Sequence, residues 1–167
     1  MYRRIEDFIG DWETESGLTQ KLFDALTDSS IGQAVADGHR TLGRIAWHIV
    51  TTIPEMMAKT GLRLEAVEAD APVPAAAAAI REAYAAAAAE LLERVRSGWN
   101  DRTLAVEDEM YGEKWARGSS ARVLVDHQAH HRGQMTVLMR QAGLRVPGVY
   151  GPSKEEWADF GAPAPEV

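Results

Sequence analysis

The sequence predicts an all-α protein, a four-helix bundle with long crossover connections and a short C-terminal tail. Three observations point there. Good helix formers (Ala, Leu, Glu, Arg, Met) are abundant, while the β-branched alternation of a half-buried strand is nearly absent. Apolar residues recur at three- and four-residue steps in long segments. Gly, Pro and Asp-Ser signals separate those segments. A chain of 167 residues suits one domain. We expect it over residues 1–149, with 150–167 as a tail packing on the bundle.

The first helix is expected from about Ile5 to Leu26. Phe8, Trp12, Leu18, Leu22 and Leu26 mark its apolar side, and Asp28-Ser29-Ser30 ends it. The second starts near Thr41 and stops at Gly61. Leu42, Ile45, Ile49, Ile53 and Met56 form one stripe, and Pro54 within it predicts a kink or a break. Residues 62–74 form a connector with two Pro and three acids. The third helix is expected from about Ala75 to Arg96. Eleven of the fifteen residues from Ala75 to Ala89 are Ala, which helix propensity alone explains. Residues 97–118 read as a second long connector. The fourth helix runs from about Ser119, with Ser119 or Ser120 as its cap, to Ala142. The tail is rich in Pro and Gly, with one helical turn at Ser153 to Phe160.

Composition excludes several function classes. A net charge of −7 with scattered basic residues argues against a nucleic-acid partner. With no Cys, the chain has no disulfide, no thiolate metal ligand and no thiol nucleophile of its own. The charged N-terminus lacks the apolar run of a signal peptide, and no window suits a membrane span. We therefore expect a cytoplasmic protein with no membrane partner. The di-iron carboxylate pattern is excluded because no Glu stands three residues before any His. The G-x-S-x-G elbow, the P-loop and the dinucleotide fingerprint are absent.

Three of the five His fall in DHQAHHRGQ, residues 126–134. Helical residues four apart sit one above the other, so His127 and His131 can reach a single cation. His130 competes for that role. At about 100° per residue, His131, Leu124, Met135 and Leu138 all fall within about 80° of His127. The pair therefore faces the bundle interior, with His130 at the margin. Adjacent imidazoles on such a face must be hydrogen-bonded or metal-bound to offset desolvation. On the second helix His48 lies beside the apolar stripe, with Thr52 and Glu55 on its side. That position suits either a structural His or the lip of a pocket. His39 precedes the helix and is expected to be exposed.

The string Asp126-His127-Gln128-Ala129-His130-His131-Arg132-Gly133-Gln134, with His48 on an earlier helix and Val149-Tyr150-Gly151-Pro152 in the tail, resembles the DinB-like (YfiT-related) superfamily. The likeness covers most of the chain in layout. It implies a four-helix bundle holding a divalent metal, Zn or Ni, through His48, His127 and His131. It also implies a homodimer. The superfamily includes thiol S-transferases and isomerases that use an external low-molecular-weight thiol, and proteins proposed to be hydrolases. The resemblance thus implies a metal-dependent enzyme acting on a small-molecule substrate. The alternative is a non-catalytic metal- or small-ligand-binding, stress-associated bundle.

Other residues take expected roles around that site. Glu55 is the one carboxylate placed near the His48 face, and it is the candidate general base. Its competing reading is a solvated helix acid. Thr52, Asp126 and Gln134 are candidates to hold the second ring nitrogens of the histidines. Arg132 points away from His127 and reads as an ion-pair residue. Tyr150 and Trp157 would dock the tail. Trp47 faces away from the stripe, and its exposure would suggest an oligomer surface.

Overall fold

The structure, a computed structural model, describes residues 1–166. Val167, the last residue of the expected tail, lies outside them. The described residues are mostly helical. Four α-helices run over Ile5–Asp24 (α1), Leu42–Lys59 (α2), Ala77–Gly98 (α3) and Arg117–Gln141 (α4). Short 3₁₀ segments lie at Thr103–Ala105 and Lys154–Phe160, and a hairpin pairs Glu107–Met110 (β1) with Glu113–Ala116 (β2). No helix among the described residues is long and apolar enough to cross a membrane.

α1 has no side-chain cap of its own. Asp101, from the far connector, accepts from the Ile5 N–H at 2.8 Å and replaces it. Its buried side carries Phe8, Trp12, Leu22 and Phe23, and Trp12 donates its indole N–H to the Ala88 carbonyl of α3 at 3.1 Å. The small Ala87 and Ala88, both buried, leave room for that ring. α2 starts where Thr41 accepts from the Arg44 N–H at 3.2 Å. It continues unbroken through Pro54, where Ile53, Pro54, Met56 and Met57 are all buried and hold its last turns. α3 begins at Ala77, two residues later than expected, because a remote group caps it. The Asp28 carboxylate accepts from the Ala77 N–H at 2.8 Å.

Both connectors do more than the sequence suggested. Glu90 of α3 accepts from the Glu65 and Ala66 N–H groups at 2.8 and 2.7 Å, which pins the 62–74 connector to the helices. That connector covers Trp47, whose indole N–H donates to the Ala71 carbonyl at 2.7 Å. Trp47 is therefore buried and offers no oligomer surface. The 97–118 connector contains the hairpin. Its strands read EDEM and EKWA, four residues each with no β-branched side chain, so no alternation reveals them. Tyr111 and Gly112 form the two-residue turn between Met110 and Glu113, with φ of 54° and 86°. Two positive φ values define a type I′ turn, costly for Tyr111 and natural for Gly112. β2 leads straight into α4, so the hairpin register sets the start of that helix. Its cap position is Ala116 rather than a Ser, and the Arg117 N–H donates to the Val106 carbonyl at 2.8 Å. Arg117 also holds Asp108 of β1 through two hydrogen bonds of 2.7 and 2.8 Å.

α1 packs on α3 and α4, and α2 packs on α3 and α4. Of the helix pairs consecutive in the chain, α2 and α3 pack together, whereas α1 with α2 and α3 with α4 are not principal neighbours. The long connectors make this order possible. The buried core unites the four helices with Tyr2, Val67, Leu104, Met110 and Val146 from the segments between and beyond them. At Gly118 a Cβ would overlap the Tyr2 carbonyl oxygen, and the Tyr2 N–H donates to the Gly118 carbonyl at 3.0 Å. Only glycine lets the N-terminal segment cross α4 this closely.

Candidate metal centre

The packing of α2 on α4 brings His48 to His127 and His131. Their ligand nitrogens all lie within 4.8 Å of one another. The Nε2 of His127 is 3.1 Å from the Nε2 of His48 and 3.1 Å from that of His131. The rings stand steeply to one another, so nitrogen edges converge rather than ring faces.

Hydrogen bonding assigns the tautomer of one ring. The Gln134 carbonyl oxygen lies 2.7 Å from Nδ1 of His131, so that nitrogen carries the proton and Nε2 turns a lone pair inward. The Thr52 hydroxyl donates to the His48 carbonyl at 2.7 Å and stands 3.5 Å from Nδ1 of His48 on the same helix. With its proton on Nδ1, His48 would turn its Nε2 lone pair inward as well. The buried Nδ1 of His127 has no partner among the described residues.

Such a cluster cannot satisfy itself. Between neutral rings, the single Nε2 proton of His127 could serve one neighbour, not both. A cation accepts all three lone pairs at once. Metal–nitrogen bonds of ~2.0–2.1 Å at tetrahedral angles place ligand nitrogens roughly 3.3 Å apart. The two 3.1 Å separations are close to that. Burial pushes His48 and His127 down to about 4, and the neighbouring His131 and Arg40 charges push in the same direction. Burial lowers His131 too, with Gln134 opposing it. All three rings are therefore neutral at pH 7, the state that binds metal. The donor set could hold a metal ion.

The cluster sits between two cavities. His131 lines one of ≈ 590 Å³. His48 and His127 line the other, of ≈ 510 Å³, together with Thr52, Glu55 and Tyr111. Glu55 accepts from the Tyr111 hydroxyl at 2.7 Å, and Lys59 approaches its other oxygen at 3.6 Å. Burial and this carboxylate push the Tyr111 hydroxyl up, so it stays a donor. Sequence reasoning missed Tyr111. Its one signal was the Tyr-Gly dipeptide, a turn signature between short charged segments.

Among the other residues singled out, Thr52 and Gln134 lie against the histidines. Asp126 does not, because it pairs with Arg122 one turn away at 2.7 Å. His130 and His39 are exposed, and both line the larger cavity. Arg132 points away from the cluster and is almost completely buried. It pairs with Glu15 of α1, and it donates to the Glu15 carbonyl at 2.7 Å and to Thr19 at 3.1 Å. Tyr150 lies against the same pair, its hydroxyl donating to Glu15 at 2.7 Å. It docks the tail there rather than reaching the histidines.

The DinB family's profile matches residues 1–166, and the chain belongs to that family. A Bacillus subtilis (strain 168) relative, YrdA, is 45% identical over the full length of both chains and is described as uncharacterized. The crystal structure of a DinB-like protein from Bacillus cereus ATCC 10987 is 47% identical, with a TM-score of 0.86. It covers 90% of this chain and 100% of its own. A second DinB-like structure, YjoA from Bacillus subtilis, has a TM-score of 0.67 at 14% identity over 86% of this chain and 96% of its own, a likeness of fold alone.

Proposed function

We propose that His48, His127 and His131 hold a divalent transition metal, Zn or Ni. The protein is then a metal-dependent enzyme that acts on a small molecule by thiol transfer or hydrolysis, built on a four-helix bundle. The observation that carries this reading is the convergence of three neutral Nε2 atoms between two cavities. A cation held by three His keeps coordination positions open and supplies a Lewis acid to a bound molecule.

The chain's own groups do the rest. Gln134 orients His131, and Thr52 orients His48. Glu55 takes up the proton of the reacting group in the smaller cavity, and the Tyr111 hydroxyl fixes its carboxylate. In the transferase form of the reading, an external low-molecular-weight thiol supplies the nucleophile that this Cys-free chain lacks.

Elemental mass spectrometry of tag-free protein, before and after a mild chelator, tests the centre. About one transition metal per chain is expected, lost on chelation while the helices persist. His48→Ala, His127→Ala and His131→Ala each remove it, and His130→Ala retains most of it. Full occupancy in any of the first three variants would overturn this ligand set.

A further inference from the structure

The larger cavity has a chemistry that the three histidines alone do not explain. Its lining contains no carboxylate, and one fixed charge, Arg40. None of the ion pairs among the described residues uses Arg40. His39 and His130 add further polar edges at the rim, and the Gln134 amide NH₂ is free because its oxygen is taken by His131. The same cavity is lined by the apolar Ile45, Val137 and Leu138, with Val35. Val35 and Val137 are 56% and 52% exposed, so each leaves a branched apolar side chain in water without a packing partner.

We infer that this cavity binds a small anionic substrate, a carboxylate on an apolar body. Its head group sits between Arg40 and His131, and its body lies against Ile45, Val137 and Leu138. The inference rests on the reading of the histidines as a metal-dependent site, because the bound molecule must lie beside them to react. The fit follows from charge and shape. An unpaired guanidinium offers two parallel donors to a carboxylate. The volume of ≈ 590 Å³ lies within the usual range for small-molecule sites.

The test is calorimetric titration of the full-length chain, as purified and after chelation, with octanoate, octanol and octylammonium. Octanoate is expected to bind more tightly than octanol, and octylammonium not at all. Arg40→Gln, at an exposed loop position, should weaken octanoate about tenfold or more and leave octanol unchanged. Val137→Asp, at an exposed helix position, should weaken both. Equal affinity for octanoate and octanol, or an Arg40→Gln variant that binds octanoate as before, would overturn the inference. Metal content is read on the same samples. Stoichiometric metal without Arg40-dependent binding sinks this inference alone. Arg40-dependent binding in a chain that never takes up metal keeps the anion-binding cavity but sinks the metal reading, and with it the role of the bound anion as substrate.

Discussion

Replacing Glu15 by Gln would remove one charge from a pair that is almost sealed from water. The Arg132 side chain is 2% exposed and that of Glu15 is 15% exposed. Gln keeps the shape and can still accept from Tyr150, so the substitution isolates the charge. Breaking a buried pair by neutralising one partner costs ~3–5 kcal/mol, because the remaining charge stays desolvated. Here Arg132 keeps the Glu15 carbonyl and Thr19 as acceptors, which favours the low end, about 3 kcal/mol. In a domain of this size each kcal/mol shifts Tm by ~2–4 °C, so a drop of about 6–12 °C is expected. Arg132→Met combined with Glu15→Gln should cost clearly less than the sum of the two single changes, since no unpaired charge is left inside. Urea unfolding followed by circular dichroism gives all three values. A Glu15→Gln cost below about 0.5 kcal/mol, or strict additivity in the double variant, would refute the claim that the pair is a desolvated unit.

Three further outcomes are expected. Metal-free protein should lose stability as pH falls from the ordinary histidine value of 6.5 toward about 4, and be flat above 6.5. The unfolded chain takes up protons in that window while His48 and His127 stay neutral, and thermal melts of chelated protein at pH 8 and pH 5 with equal Tm would contradict this. Gly10→Ala and Gly17→Ala lie inside α1, and a Cβ at either meets nothing within 4 Å. Each should stabilise by ~0.5–1 kcal/mol, and a lower denaturant midpoint would count against the packing described for α1. Gly118→Ala should destabilise by at least ~1–3 kcal/mol through the overlap with the Tyr2 carbonyl, and an unchanged midpoint would mean that the N-terminal segment does not cross there.

The parts of the fold that were legible in the sequence are those encoded within one segment. Phe8, Trp12 and Leu22 marked the inner side of α1, and the stripe from Leu42 to Met56 that of α2, because helical periodicity needs no partner to be visible. The same arithmetic placed His127 and His131 on the inner face of α4, His48 at the edge of its own stripe, and Arg132 on the opposite side from the pair. The 3.6-residue repeat also explains why the hairpin was missed. Its strands are too short and too charged to show the two-residue period of a strand.

Tertiary structure decided everything that depends on which remote segments meet. Asp101, Asp28 and Glu90 cap backbone groups 96, 49 and 25 residues away, and no local pattern points to such partners. Trp47 read as an outward residue because its own helix turns it outward, and only the covering connector buries it. Glu15 could not be assigned to Arg132, nor Tyr111 to Glu55, since each pair joins elements whose contact is set by the global packing. The convergence of His48 with His127 and His131 belongs to both levels. Local periodicity aimed each imidazole inward, and the packing of α2 directly on α4 brought the three rings together. Direction is a property of the helix, and it is fixed by 100° per residue. Proximity is a property of the fold, and it exists only once the connectors have chosen which helices touch.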